Sequence, residues 1–232
     1  MKEENYPKKK STGDIVHSLA KGGIGMIPIA GVPASELLNL IVTPSLEKRR
    51  TQWFEDIGTR LKILEENNKI SLEELSKNEE FIDITLQATQ VALRTSQKEK
   101  KEALKNVIIN SAKPNSLDFT IKQMFINCID SFTDLHLKIL DIFSDTRKWP
   151  QSNDNSSWSH FLEDVFPDLS KNNEIFLKIW NDLYSHGLVK TNLENLPKEF
   201  NRPRINISFG WLIGQNISKL GEIFIEFIRE EK

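Results

Sequence analysis

The sequence predicts a mainly α-helical chain: a helical N-terminal half with long amphipathic helices, then a C-terminal winged-helix-like domain carrying a small β-hairpin. Three observations lead there. Apolar residues recur at helical spacing through most of the stretch between Pro44 and Ala112, the pattern of helices that bury one face. Past Pro114 the character changes to short helical units separated by polar loops. The order of elements there, helix, helix, helix, strand, loop, strand, is that of a winged helix.

Taken in order, residues 1–12 are polar and lysine-rich, a composition that predicts a disordered tail. Gly22-Gly23-Ile24-Gly25-Met26-Ile27-Pro28-Ile29-Ala30-Gly31-Val32-Pro33 is apolar but too dense in glycine and proline for a regular helix. The Gly/Pro-rich apolar segment 22–42 is therefore expected to be covered, with Ile24, Ile27, Pro28, Ile29, Gly31 and Pro33 as its candidate interaction residues. It is no phosphate loop, since neither G-x-x-x-x-G-K-[ST] nor G-x-G-x-x-G is present. Nor does the N-terminus read as a signal peptide, because Asp14, His17 and Lys21 interrupt the approach from Lys8, Lys9 and Lys10. The uncharged run Gly22 to Ser35, broken by Pro28 and Pro33 and closed by Glu36, is shorter than the roughly 20 residues a spanning helix needs.

Thr43-Pro44 reads as a helix start, with threonine at the cap and proline in the first helical position. Leu46, Trp53, Phe54, Ile57, Leu61 and Leu64 continue that helix to about Glu66, with Lys48, Arg49 and Arg50 as a solvated face. Ser71 and Glu74 have capping-box spacing for a short helix. A longer helical stretch from Asn78 to Ala112 bears Phe81, Ile84, Ala88, Val91, Ala92, Leu104, Val107 and Ile108, with a second capping-box pattern at Ser96 to Glu99 and an expected break near Thr95. Pro114 ends it, which divides the chain into a helical domain 13–114 and a winged-helix-like domain 115–232.

In the second half, Leu117, Ile121, Met124, Phe125 and Cys128 mark one helix, and Thr133 caps the next, with Leu135, Ile139, Leu140 and Phe143. Trp158, Phe161, Leu162, Val165 and Phe166 predict a third, ended by Pro167. Ser170 caps a fourth carrying Ile175, Ile179, Trp180 and Leu183, stopped at Gly187. Leu188-Val189 and Arg204 to Phe209 are the strand candidates, and the turn-rich piece between them is the wing. Ile217, Leu220, Ile223, Phe224, Phe227 and Ile228 define a last helix.

The chemistry-bearing residues are sparse. A net charge of −2 with 28% charged residues gives no global field to gather nucleic acid or anionic lipid. Cys128, the single cysteine, sits among Met124, Phe125, Ile126 and Ile129 and reads as a core thiol. His17, His136, His160 and His186 have no H-E-x-x-H spacing, and Asp134 and His136 are too close in sequence to share a helix face. No nucleophile elbow is present. The reading is of a non-enzyme without cofactor or metal, in the cytoplasm. A DNA reader would present cations on the helix before the wing; here Lys171 and Lys178 face Glu174 and Asp182, while Lys190, Arg202 and Arg204 could make a basic wing. These five bases are the candidate nucleic-acid contacts of the second-ranked reading.

Ile27-Pro28-Ile29-Ala30-Gly31 leading to Pro44-Ser45-Leu46-Glu47-Lys48-Arg49-Arg50 and Trp53, the run Phe81 to Ala112 with Gln87-Ala88-Thr89 and Glu99-Lys100, and Gly187-Leu188-Val189 with Leu220-Gly221-Glu222-Ile223-Phe224 together cover most of the chain. In these stretches it resembles a bacterial family usually called abortive-infection alpha. The resemblance implies a bacterial cytosolic protein linked to phage resistance, with no catalytic residues to carry over. The expected partner is a protein or a second copy of the chain. Nucleic acid ranks second, and a membrane-active role through residues 22–42 ranks third.

Overall fold

The computed structural model describes residues 34–67, 69–145, 166, 173–190 and 217–229. Among these lie eight helices: α1 (Ala34–Glu66), α2 (Leu72–Leu75), α3 (Glu79–Arg94), α4 (Lys98–Ser111), α5 (Phe119–Ser131), α6 (Asp134–Ser144), α7 (Asn173–Ser185) and α8 (Lys219–Ile228). The protein is mainly helical, as its periodicity predicts. By its contacts the chain forms two units, Met1–Glu47 and Lys48–Lys232. The first contributes only the opening of α1 to the described residues.

α1 departs from the expected start at Thr43-Pro44, since it begins at Ala34 and encloses Pro44. Proline removes one helical N–H and crowds the preceding turn, and the β-branched Ile41, Val42 and Thr43 before it are weak helix formers, so nothing local in the sequence foretells the continuation. Within the second unit, Trp53 and Ile57 are buried and Leu61 packs on the same core. The Trp53 indole N–H donates to Thr89 Oγ1 on α3 at 3.0 Å, so a polar atom carried into the core keeps a partner.

Short helix α2 begins at Ser71, whose Oγ accepts from the Glu74 N–H. The long stretch after it is two helices, broken at Thr95 to Gln97. The cap expected from Ser96 does not form: Gln97 is the cap residue of α4, and Thr95 Oγ1 takes the Gln97 N–H instead. α4 is buried on several sides, through Lys100, Ala103, Leu104, Lys105, Asn106, Val107, Ile108 and Ser111. A helix buried that widely needs neighbours around it, and α4 packs on α3, α5, α6 and α8. Consequently the boundary expected at Pro114 falls inside the second unit. α3 and α4 before it share one core with α5, α6, α7 and α8 after it.

Asp118 caps α5 through the Thr120 N–H, and Thr133 caps α6. Aromatic rings lock these helices to the last two. Phe125 of α5 meets Phe224 of α8 edge-on at 5.0 Å, and Phe143 of α6 meets Trp180 of α7 at 5.6 Å and 88°. Trp180 is fully enclosed, which fits its place on the apolar stripe of its helix.

Of the predicted hairpin only the Leu188-Val189 side lies among the described residues. Among the described residues there is no strand; Val189 forms a single antiparallel bridge, and its partner is Ile217. Arg204 to Phe209, expected to pair with it, lies outside the described residues, as do Ser170 and all of the Trp158 helix but the buried Phe166. The bridge is pinned by Ser218 N–H to Leu188 O at 3.0 Å and by Ser218 Oγ, which caps α8 through the Gly221 N–H. Two glycines make this close approach work. Gly187 ends α7 at φ +71°, and a Cβ on Gly221 would lie 2.1 Å from Leu188 O.

Candidate functional site

The six interaction residues expected in the Gly/Pro-rich segment, Ile24, Ile27, Pro28, Ile29, Gly31 and Pro33, lie outside the described residues. So do Lys171, Arg202 and Arg204 of the nucleic-acid set. The two remaining members, Lys178 and Lys190, are both exposed.

Lys178 sits on α7, the helix that would read DNA in a winged-helix protein. Its Nζ donates to Asp182 Oδ1 at 2.6 Å, one turn on. Glu174, Lys178, Asp182 and Ser185 lie on the side of α7 away from the buried Phe176, Ile179, Trp180 and Leu183, so the outward face carries more acid than base. Ile175 and Tyr184 are exposed at the two edges of the apolar stripe. α7 thus offers solvent a mixed-charge surface with an excess of acid, flanked by apolar side chains.

Its C-terminal end forms a polar corner with the α5–α6 junction. The backbone N–H of Thr133 donates to His136 Nδ1 at 3.1 Å, closing a capping box in which histidine takes the place usually held by Glu or Gln. Because Nδ1 is the acceptor, the neutral ring carries its proton on Nε2, which faces Asp182 Oδ2 at 3.4 Å. Burial holds His136 below the usual imidazole value, partly offset by Asp182. Phe132 stacks on the His136 ring at 5.0 Å and meets His186 edge-on at 4.8 Å. His186 reaches Asp182 O through Nδ1 and Ser131 Oγ through Nε2. Asp134, next but one to His136, instead accepts the Lys100 backbone N–H. The sequence left this cluster unseen because Asp182 lies 46 residues from His136; the Thr133-x-x-His136 spacing was the one local signal for it.

A second polar cluster ties α1 to α4. Arg60 donates to Glu102 and Asn106, and Lys105 binds both Asp56 and Glu102. Burial opposes the charged form of Lys105, but its two carboxylate partners more than offset this and raise its pKa. Burial likewise opposes charge on Glu102, which Lys105 and Arg60 outweigh, so its carboxyl is held below the ordinary value. Asn106 and Asn110 donate to backbone carbonyls at the end of α8. These contacts are structural: each charge is consumed by a neighbour within the fold.

Beside that cluster a cleft of about 240 Å³ lies between α4, α6 and α8, floored by Ala103, Leu137, Ile225 and Ile228. Glu99, Glu102 and Asp141 rim it, each held by a base: Lys138, Arg60 with Lys105, and Arg229 respectively. Among the described residues no group of three or more His, Cys, Asp or Glu side chains is placed to hold a metal ion. Cys128 is buried and its thiol is pushed up to about 11 by desolvation, the environment of a core thiol rather than a nucleophile. No helix among the described residues is long and apolar enough to cross a membrane.

No family model, curated protein or solved structure matches the chain.

Proposed function

We propose that the chain is a bacterial, cytoplasmic phage-defence protein of the abortive-infection kind, acting through contact with a protein partner or a second copy of itself rather than through catalysis. The defence context rests on the sequence resemblance to the abortive-infection alpha family. The choice of a protein partner over DNA rests on α7. There Lys178 is tied to Asp182, Glu174 adds a further acid, and Ile175 and Tyr184 stand exposed at the margins. Phosphate binding needs cations free to displace counterions, whereas a surface with more acid than base and with apolar and aromatic anchors repels phosphate and suits a protein interface.

The DNA-binding winged-helix reading stays second, resting on Lys190 and on Lys171, Arg202 and Arg204 in the sequence. Plating of phage on cells expressing the chain separates the two. Protection should be lost in Ile175→Glu with the fold intact by circular dichroism, and retained in Lys178→Ala. Loss in Lys178→Ala, with Ile175→Glu still protective and the protein shifting a DNA probe in a salt-dependent way, would reverse the order.

A further inference from the structure

Among the described residues three lysines are buried, Lys100, Lys105 and Lys122. The first two are bonded. Lys100 Nζ donates to Asp130 O at 2.9 Å, and Lys105 Nζ donates to Asp56 at 2.6 Å and to Glu102 at 2.7 Å. Lys122 is 8% exposed, yet among the described residues it makes no hydrogen bond and no ion pair. Two carboxylates act on it only through their charge, Glu80 in the first turn of α3 and Asp118 at the cap of α5. Both are exposed, so the amine end of Lys122 lies toward the surface while its stem is covered.

The position on α5 explains the cover. At about 100° per residue Lys122 falls between Phe125 and Ile126 and about 20° from Ile129, and all three of these are buried. Neighbouring helices close over that stripe. Asp130 accepts from Arg94 of α3 through its carboxylate and from Lys100 of α4 through its carbonyl, which sets the end of α5 against the end of α3 and the start of α4. Because α3 and α4 turn back on each other across Thr95 to Gln97, the opposite end gathers the start of α3, the end of α4 and the first turn of α5, where Lys122 stands. A cation is disfavoured there by lost hydration, by the missing bond and by the positive end of the α5 dipole. Burial outweighs Glu80 and Asp118 and holds the Lys122 amine below the ordinary lysine value.

We propose that Lys122 is an acylation site, whose ε-amine takes a short acyl group from a thioester. The neutral amine is the nucleophile. Its lone pair attacks the thioester carbonyl carbon, a C–N bond forms, the C–S bond breaks, and the leaving sulfur carries off the electron pair and then the proton that nitrogen sheds. An amide and a thiol result, with no oxidant or reductant needed. The surroundings select the donor. Glu80 and Asp118 repel a phosphate at the reacting end, as an acyl phosphate would bring, whereas the thioester carbonyl is uncharged. The covered stem favours a short acyl chain, and a four-carbon side chain can still swing its amine outward. Acylation then replaces a covered, unbonded cation with a neutral amide. Lys122 belongs to α5 and not to α7, so this inference and the partner binding assigned to α7 can fail separately.

The test is acetylation of the full chain by the uncharged thioester S-acetyl-N-acetylcysteamine, with the occupancy of each lysine read by mass spectrometry. At about pH 7.5 Lys122 should be labelled at least about fivefold faster than exposed Lys69 and Lys190. The preference should fade as pH nears about 10.4, where ordinary lysines also lose their proton, and should vanish in the urea-unfolded chain. Glu80→Gln, at an exposed position, should speed labelling of Lys122, because one charge that favours the ammonium is gone. Labelling of Lys122 no faster than that of Lys69 and Lys190, a preference that survives unfolding, or slower labelling in Glu80→Gln would each overturn the inference. Faster labelling of Lys122 by acetyl phosphate than by the thioester would overturn the choice of donor.

Discussion

Thr89→Val removes one hydroxyl from the core and keeps the side chain's shape. The Trp53 indole N–H, which donates to Thr89 Oγ1 at 3.0 Å in a buried site, then has no partner. Leaving a buried donor unsatisfied costs about 1–3 kcal/mol, whereas Trp53→Phe removes that donor and loses ring area, on the order of 1–2 kcal/mol. Once Trp53 is phenylalanine, valine at 89 no longer strands a donor, and the double variant should lose less than the two single losses together. The coupling should reach about 1 kcal/mol, inside the range that contacting residues show. Urea titration of the four proteins by far-UV circular dichroism reads it from the midpoints and slopes. Additivity to within about 0.3 kcal/mol would refute the reasoning, since the indole and the hydroxyl would then not be coupled.

The His136 corner makes stability depend on pH. Burial lowers the folded pKa below the ordinary 6.5, so on acidification the unfolded chain takes up a proton first. The stabilisation is present above about pH 6.5 and is lost as pH falls through the folded value. His136→Gln keeps the capping acceptor without titrating and should flatten the change in urea midpoint between about pH 7 and about pH 5; an equally steep fall in the variant would place the effect elsewhere. Gly221→Ala should destabilise by about 1–3 kcal/mol, because its Cβ would meet the Leu188 carbonyl 2.1 Å away. A neutral result in thermal melts would mean that the Leu188–Ser218 contact is looser than described.

Where local chemistry decides, the sequence reading and the structure agree. The Trp53 and Trp180 stripes, the caps at Ser71 and Thr133, the break near Thr95 and the stop at Gly187 are fixed by residues within one or two turns. The departures have three physical sources. Pro44 satisfies the first-position rule but lies inside α1, which begins ten residues earlier at Ala34. Ser96 has capping-box spacing, yet α4 starts one residue later, with Gln97 as its cap residue and the Gln97 N–H held by Thr95 Oγ1. Val189 pairs with Ile217, and His136 with Asp182; both are long-range choices that periodicity cannot make. The α7 surface is partly legible, since Glu174 and Asp182 near Lys178 are visible in the sequence, but the exposure of Ile175 is not: its helical spacing predicts a core position, and it stands at the stripe's edge.

Site-specific photo-crosslinking from position 175, carried out in phage-infected cells, tests the central claim most directly. A crosslinking amino acid in place of exposed Ile175 reports whatever touches α7 while the chain protects the cell. The account predicts adducts with protein, either a second copy or another polypeptide, that disappear when Tyr184→Ala and a loss of protection are introduced together. Adducts with nucleic acid, or no adduct while protection is intact, would contradict it.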